Sequence, residues 1–199
     1  IALYLQRGFR VKECHSDGEF ECIRAALADD KAYLNVTSED EHDPVIERYI
    51  RTVKERTRST YNSVPFKKIP TMMVIEMVHA SNYWLNSFPA NDGVSATQSP
   101  RQIVTGQRCD FKMHCMLQFG EYVQVHESHD NSMKSRTTGA IALRPTGNNQ
   151  GGMYFMSLKT GERINRYAWT QLPMPSEVID QVHQLACHNP AGGAIEFGW

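Results

Sequence analysis

The sequence predicts an α/β protein in two parts: short strands and helices alternating over the first half, then a smaller, mostly β part. Three observations predict it. Helix starts marked by a capping residue, a proline or both recur at Asp43-Pro44, Pro70 and Ser99-Pro100. Beyond Cys109 the texture changes to short strand-like runs separated by turns such as Thr146-Gly147-Asn148-Asn149 and Lys159-Thr160-Gly161. The 199 residues are 41% hydrophobic and 22% charged, which suits one ordinary globular domain, or a partial domain plus a small one.

Residues 3–6 read as the end of a helix already under way, stopped by Gly8. The chain has no initiator Met and no leader-like start, so it is expected to be a fragment of a longer protein without a signal peptide. Residues 9–14 alternate like a strand that finishes in the turn His15-Ser16-Asp17-Gly18, 19–27 suit a helix, and 32–36 a short strand. The helix opened by Asp43-Pro44 should run to about Arg58 and stop well before Pro65. A second long helix is expected over 71–88, and a short one from Ser99-Pro100 to Gly106. Strands follow at 119–127, 139–144, 152–158 and 162–169, with a closing helix over 176–186. The most apolar stretch, 72–88, is interrupted by Glu76, His79 and Asn82 and fails as a membrane span.

Lys and Arg number 21 against 22 Asp and Glu, a formal charge of −1 that excludes a uniformly basic coat and an acidic solvating tail. The charge is nonetheless uneven. Residues 16–43 carry a net −7 and residues 45–68 a net +5. On the helix from Pro44, Ile46, Tyr49, Ile50, Val53 and Thr57 share one face, which is expected to be buried. Glu47, Arg51, Lys54 and Arg58 form a stripe beside it. A carboxylate above three cations suits a metal site adjoining a phosphate backbone. It equally suits a solvated face with a Glu47–Arg51 ion pair worth a few tenths of a kcal/mol. Asp17 reads in two ways as well, as a functional group at a strand end or as a plain turn residue.

Five irregularly spaced cysteines favour reduced, intracellular thiols, with Cys14 and Cys22 expected to be buried and unreactive. Neither Cys109…His114-Cys115 nor His126…His129 has zinc-ligand spacing. Met72, Met73, Met77 and Trp84 are read as core.

The order of the two acids carries more than either alone. A strand ending Ser16-Asp17-Gly18-Glu19-Phe20, a helix, a short strand, a polar loop and a helix opening with Glu47-Arg48 form a specific succession. It resembles the catalytic core of retroelement integrases, most closely the integrase region of copia-type LTR retrotransposon Pol polyproteins. There the middle acid of an Asp-Asp-Glu triad sits in an Asp-Asn/Gly-(Gly)-Glu-Phe motif and the last in a Glu-Arg pair. Tyr83-Trp84-Leu85-Asn86-Ser87-Phe88-Pro89 is similar to the family's Leu-Asn-x-x-Pro segment. Ser99-Pro100 with Val104-Thr105-Gly106 resembles its Ser/Thr-Pro…Gly segment, and Phe119-Gly120-Glu121-Tyr122-Val123 its Phe-Gly strand.

The resemblance implies the C-terminal half of a ribonuclease-H-like integrase core followed by a small, mostly β barrel-like domain. Residues 1–98 would be partial core, 99–118 a connecting helix and linker, 119–175 the barrel, and 176–199 a C-terminal helix and tail. It implies Asp17 and Glu47 as catalytic ligands of Mg²⁺ or Mn²⁺, since hard cations take carboxylate oxygens. Arg48, Arg51, Lys54 and Arg58 would hold DNA. The parent would join element DNA ends to target DNA by transesterification, as a homo-oligomer, in the nucleus of a eukaryotic host. Lys134, Arg136, Arg144, Lys159, Arg163 and Arg166 are further candidates for DNA or protomer contact, or plain solvent-facing charge.

Two departures from the family pattern stand out: its first catalytic Asp lies upstream of the matched segment, and the gap between Asp17 and Glu47 is short. The chain by itself is therefore expected to be inactive in joining. A rival reading is a non-catalytic DNA-binding or assembly module, a decayed or domesticated remnant. A more distant one is a related ribonuclease-H-like nuclease or cut-and-paste transposase.

Overall fold

The structure, a computed structural model, describes residues 1–37, 44–91, 93–128 and 131–188. The fold is mixed α/β and divides into two compact units, Ile1–Thr52 with Asn86–Arg108 and Val53–Leu85 with Cys109–Trp199.

In the first unit, helix α1 (Ala2–Gln6) ends at Gly8, whose φ of 79° is the left-handed stop that glycine adopts without a Cβ clash. Strand β1 covers Glu13–Asp17, several residues later than the 9–14 expected. It is a largely polar strand placed by its partner rather than by its own alternation. Strand β2 (Tyr33–Thr37) pairs with it in parallel from Glu13↔Tyr33 to Asp17↔Thr37, introduced by Tyr33 N–H donating to the Lys12 carbonyl at 2.8 Å. The crossover between them is a 3-10 stretch, Gly18–Ile23, followed by helix α2 (Arg24–Asp29), so the single helix expected over 19–27 is split and shifted. Leu27, Ala32 and Leu34 form the small core here, with Ile1, Val11, Cys14 and Val36 packed around it. Cys14 is half-buried. Cys22, expected inside, is exposed because the 3-10 stretch has no buried side.

Helix α3 (Pro44–Ser63) runs five residues past Arg58. Nothing in 59–63 breaks it, and Pro65 ends it by disfavouring helical geometry at Val64. Its expected cap, Asp43, lies outside the described residues. The apolar face of α3 is a correction: Ile46 is 41% exposed, and Tyr49 and Ile50 nearly half. Among the described residues, none packed in the small core around Leu34 comes from α3. Burial begins at Val53 and is complete at Thr57, whose Oγ1 meets Ser81 Oγ at 3.2 Å. Helix α5 (Pro100–Thr105) follows its local code. Ser99 Oγ accepts from Gln102 N–H at 3.2 Å, and Gly106 closes the helix at φ 76°.

The second unit is built on an antiparallel sheet ordered β6-β5-β4-β3-β7: β3 Tyr122–His126, β4 Thr137–Pro145, β5 Met153–Ser157, β6 Arg163–Arg166 and β7 Trp169–Gln171. The one strand expected over 162–169 is thus two, lying on opposite edges of the sheet. Both faces of β4 are buried. Ile141 and Leu143 join a cluster with Phe66, Met73, Met156, Leu158, Val178 and Val182, which draws in helix α4 (Thr71–Ser87) and helix α7 (Ser176–Cys187). Ala140 and Ala142 join a second cluster with Leu117, Val123, Val125, Met153 and Phe155. A one-turn helix, α6 (Phe111–His114), was not foreseen. Asp110 caps it by accepting from Lys112 N–H at 2.9 Å. Among the described residues no helix is long and apolar enough to cross a membrane.

Candidate metal and nucleic-acid site

Asp17 is the last residue of β1, at the C-terminal end of a parallel pair, the end at which α/β sheets gather their functional groups. Its Oδ1 accepts from Gly18 N–H at 2.5 Å, which starts the 3-10 stretch and fixes one carboxylate oxygen. The turn reading and the functional reading of Asp17 are thus compatible, since a single oxygen does the capping. Close by, Glu21 is bound by Arg24 through both carboxylate oxygens. That hydrogen-bonded pairing holds the Glu21 carboxyl below its usual range and raises the Arg24 guanidinium. Arg24 Nη1 also reaches the Leu34 carbonyl at 3.1 Å, tying the crossover to β2.

Glu47 lies in the first turn of α3, where a carboxylate is favoured by the helix dipole. Arg48, Arg51, Lys54 and Arg58 follow it down the helix, and all five side chains are exposed. Asp17 and Glu47 belong to the same compact unit. The segment joining β2 to α3, residues 38–43, lies outside the described residues. Among the described residues no three His, Cys, Asp or Glu side chains converge on one point.

The structure sorts the cations of the second unit. Arg144 and Arg163 are both bound by Glu76, and Arg166 is bound by Glu127 at 2.7 Å. Lys134, Arg136 and Lys159 are exposed. Cys109 is buried and Cys115 is exposed. Burial, and then neighbouring Cys109, pushes the Cys115 thiol up, which disfavours the thiolate that zinc requires. His126 Nε2 lies 3.4 Å from Thr170 Oγ1, while His129 falls outside the described residues.

Sequence reasoning missed two groups. Glu76, read only as an interruption of an apolar helix, is 2% exposed between buried Met73 and Met77. A lone acid at that spacing on a buried face is itself the signal, because such a carboxylate needs cationic partners. His114 is buried as well, its Nδ1 at 2.8 Å from the Asp110 carbonyl and its Nε2 at 3.0 Å from the Asn148 carbonyl. It anchors α6 to the loop between β4 and β5. No family model and no curated protein matches the chain.

Proposed function

We propose that this chain is part of a copia-type retroelement integrase, comprising the C-terminal half of a ribonuclease-H-like core and a small barrel-like domain. The observation that carries the reading is the succession of β1 ending in Asp17, a helical crossover, parallel β2, and a helix opening with Glu47 and continuing with five cations, among them Arg48, Arg51, Lys54 and Arg58. A parallel strand pair with an acid at its C-terminal end, followed by a basic helix opened by an acid, suits phosphoryl transfer on a polyanion. The barrel-like reading is supported by the second cluster, to which all five strands contribute: Val123, Ala140, Phe155, Ile164 and Trp169.

The donor set fits a hard divalent cation. Asp17 keeps one oxygen clear of its bond to Gly18, and Glu47 supplies a second carboxylate. When bound, Mg²⁺ or Mn²⁺ activates the attacking hydroxyl and offsets charge on the leaving oxygen of a phosphodiester. The chain's own residues hold and orient: Asp17 and Glu47 ligate, while Arg48, Arg51, Lys54 and Arg58 follow phosphates without reading bases. By resemblance, the parent works as a homo-oligomer on DNA ends in the nucleus and takes its remaining catalytic Asp from ahead of the matched segment.

The test is Mn²⁺ binding by the 199-residue chain, followed by electron paramagnetic resonance, with Asp17→Asn and Glu47→Gln. The reading expects either variant to abolish the same site. Mn²⁺ uptake unaffected by both substitutions overturns it. Adding an upstream Asp-bearing strand should then confer metal-dependent joining of DNA ends, and binding of DNA without any joining would favour the non-catalytic module instead.

A further inference from the structure

We propose that Arg163 is a pre-organised phosphodiester-binding group, with Glu76 and Tyr154 as its positioning residues; this rests on the reading of DNA as the partner. Glu76, on α4, has a side chain only 3% exposed. A carboxylate so buried persists only with its lone pairs filled. Arg144 Nε donates to Glu76 Oε2 and Arg163 Nη1 to Glu76 Oε1, both at 2.7 Å. Each guanidinium also lies 4.6 Å from the centroid of the Tyr154 ring. Four elements therefore meet here: α4 gives the acid, β4 and β6 the cations, and β5 the ring. An irregularity in β4 between Ala142 and Arg144 brings Arg144 opposite Tyr154.

Two cations and one anion leave an excess of one positive charge. Arg144 is 16% exposed and Arg163 is 45% exposed, so the excess faces solvent through Arg163. Among the described residues, its Nε and Nη2 make no hydrogen bond. The Arg163 guanidinium is thus held by the carboxylate at one nitrogen and stacked on a ring, with two nitrogens left for an incoming anion. Such a group has already lost the side-chain freedom that binding removes, and its planar fork matches a phosphate. The exposed Lys134, Arg136 and Lys159 add charge to the same unit without that constraint.

The experiment measures anisotropy of a fluorescent DNA duplex with the full chain across a salt series, with melting curves as fold controls. Arg163→Gln and Arg163→Lys are each expected to weaken binding roughly tenfold, the worth of one charge-assisted hydrogen bond. Arg163→Gln should also flatten the salt slope by about 0.9. Glu76→Gln removes a negative charge, so charge counting alone predicts tighter binding, whereas loss of positioning predicts weaker. Tyr154→Leu leaves the charge untouched and is the arm to rely on if Glu76→Gln does not fold; weakening is expected. Arg163→Lys binding like the parent chain, or Glu76→Gln binding more tightly, overturns the proposal while leaving the DNA reading intact. No DNA binding by the parent chain at low salt overturns both.

Discussion

Arg166 ends β6 and Trp169 begins β7, so two residues three positions apart in the chain stand on opposite edges of a five-stranded sheet. Three residues of extended chain reach only about 10 Å. The sheet must therefore curl until its edges approach, and Trp169 is the residue that fills the space this creates. Its ring lies 5.5 Å from that of Phe155 at 57°, against the cluster of Val123, Val125, Ala140 and Ala142. Trp169→Ala should cost about 3 kcal/mol, read as a lowered urea midpoint. A loss below about 0.5 kcal/mol, the range of ordinary surface changes, would mean that the curled sheet does not depend on this side chain.

Gly120 is a stricter constraint. Its φ is 91°, and a Cβ built there would sit 2.6 Å from Val64 Cγ1. Gly120→Ala should therefore destabilise by more than about 2 kcal/mol through backbone strain and overlap together. Val64→Ala in the same chain removes only the overlap, so the double variant should recover part of the loss but not all of it. Full recovery in equilibrium unfolding would show that backbone conformation contributes nothing.

On α3 the exposed cations lead to a binding prediction. Lys54→Ala should weaken association with duplexes of any sequence and flatten the salt slope by about 0.9, the loss of one phosphate contact. Anisotropy at several salt concentrations measures both. Binding and slope unchanged at low salt would remove Lys54 from the DNA stripe.

Legibility followed the range of the interactions. The helix opened by Ser99-Pro100 and closed by Gly106 was readable because its cap bonds span at most a few residues. The start of α3 was readable because a proline at the first helical position is a local signal, but its end was not: the helix expected to stop near Arg58 runs to Ser63, because nothing in 59–63 breaks it before Pro65 acts on Val64. The position of β1 was not, because a polar strand is placed by its ladder to β2, about 20 residues on. The apolar stripe of Ile46, Tyr49 and Ile50 misled because periodicity names the face a helix could bury but not whether a surface exists to cover it. Glu76 showed as an oddity, yet its partners lie 68 and 87 residues away, and nothing local distinguishes Arg144 and Arg163 from other strand cations. In the candidate site, Asp17 and Glu47 were legible as types and positions.

The last prediction concerns Cys115, which is exposed in part while its thiol is raised above the ordinary value of 9.0, first by burial and then by Cys109. A raised folded value means that the neutral thiol is favoured in the native state. Its contribution to stability is fully present below the unfolded value and is lost as pH rises through the folded one. Two results should follow. Iodoacetamide at pH 8 should modify Cys115 more slowly than it modifies a free thiol, followed by mass spectrometry of the peptide carrying residue 115, because only the thiolate reacts. Cys115→Ser should make unfolding stability less dependent on pH above about 9, the region where the native thiol resists ionisation. Alkylation at the rate of a free thiol, together with an unchanged alkaline stability profile, would show that neither burial nor Cys109 restrains this group.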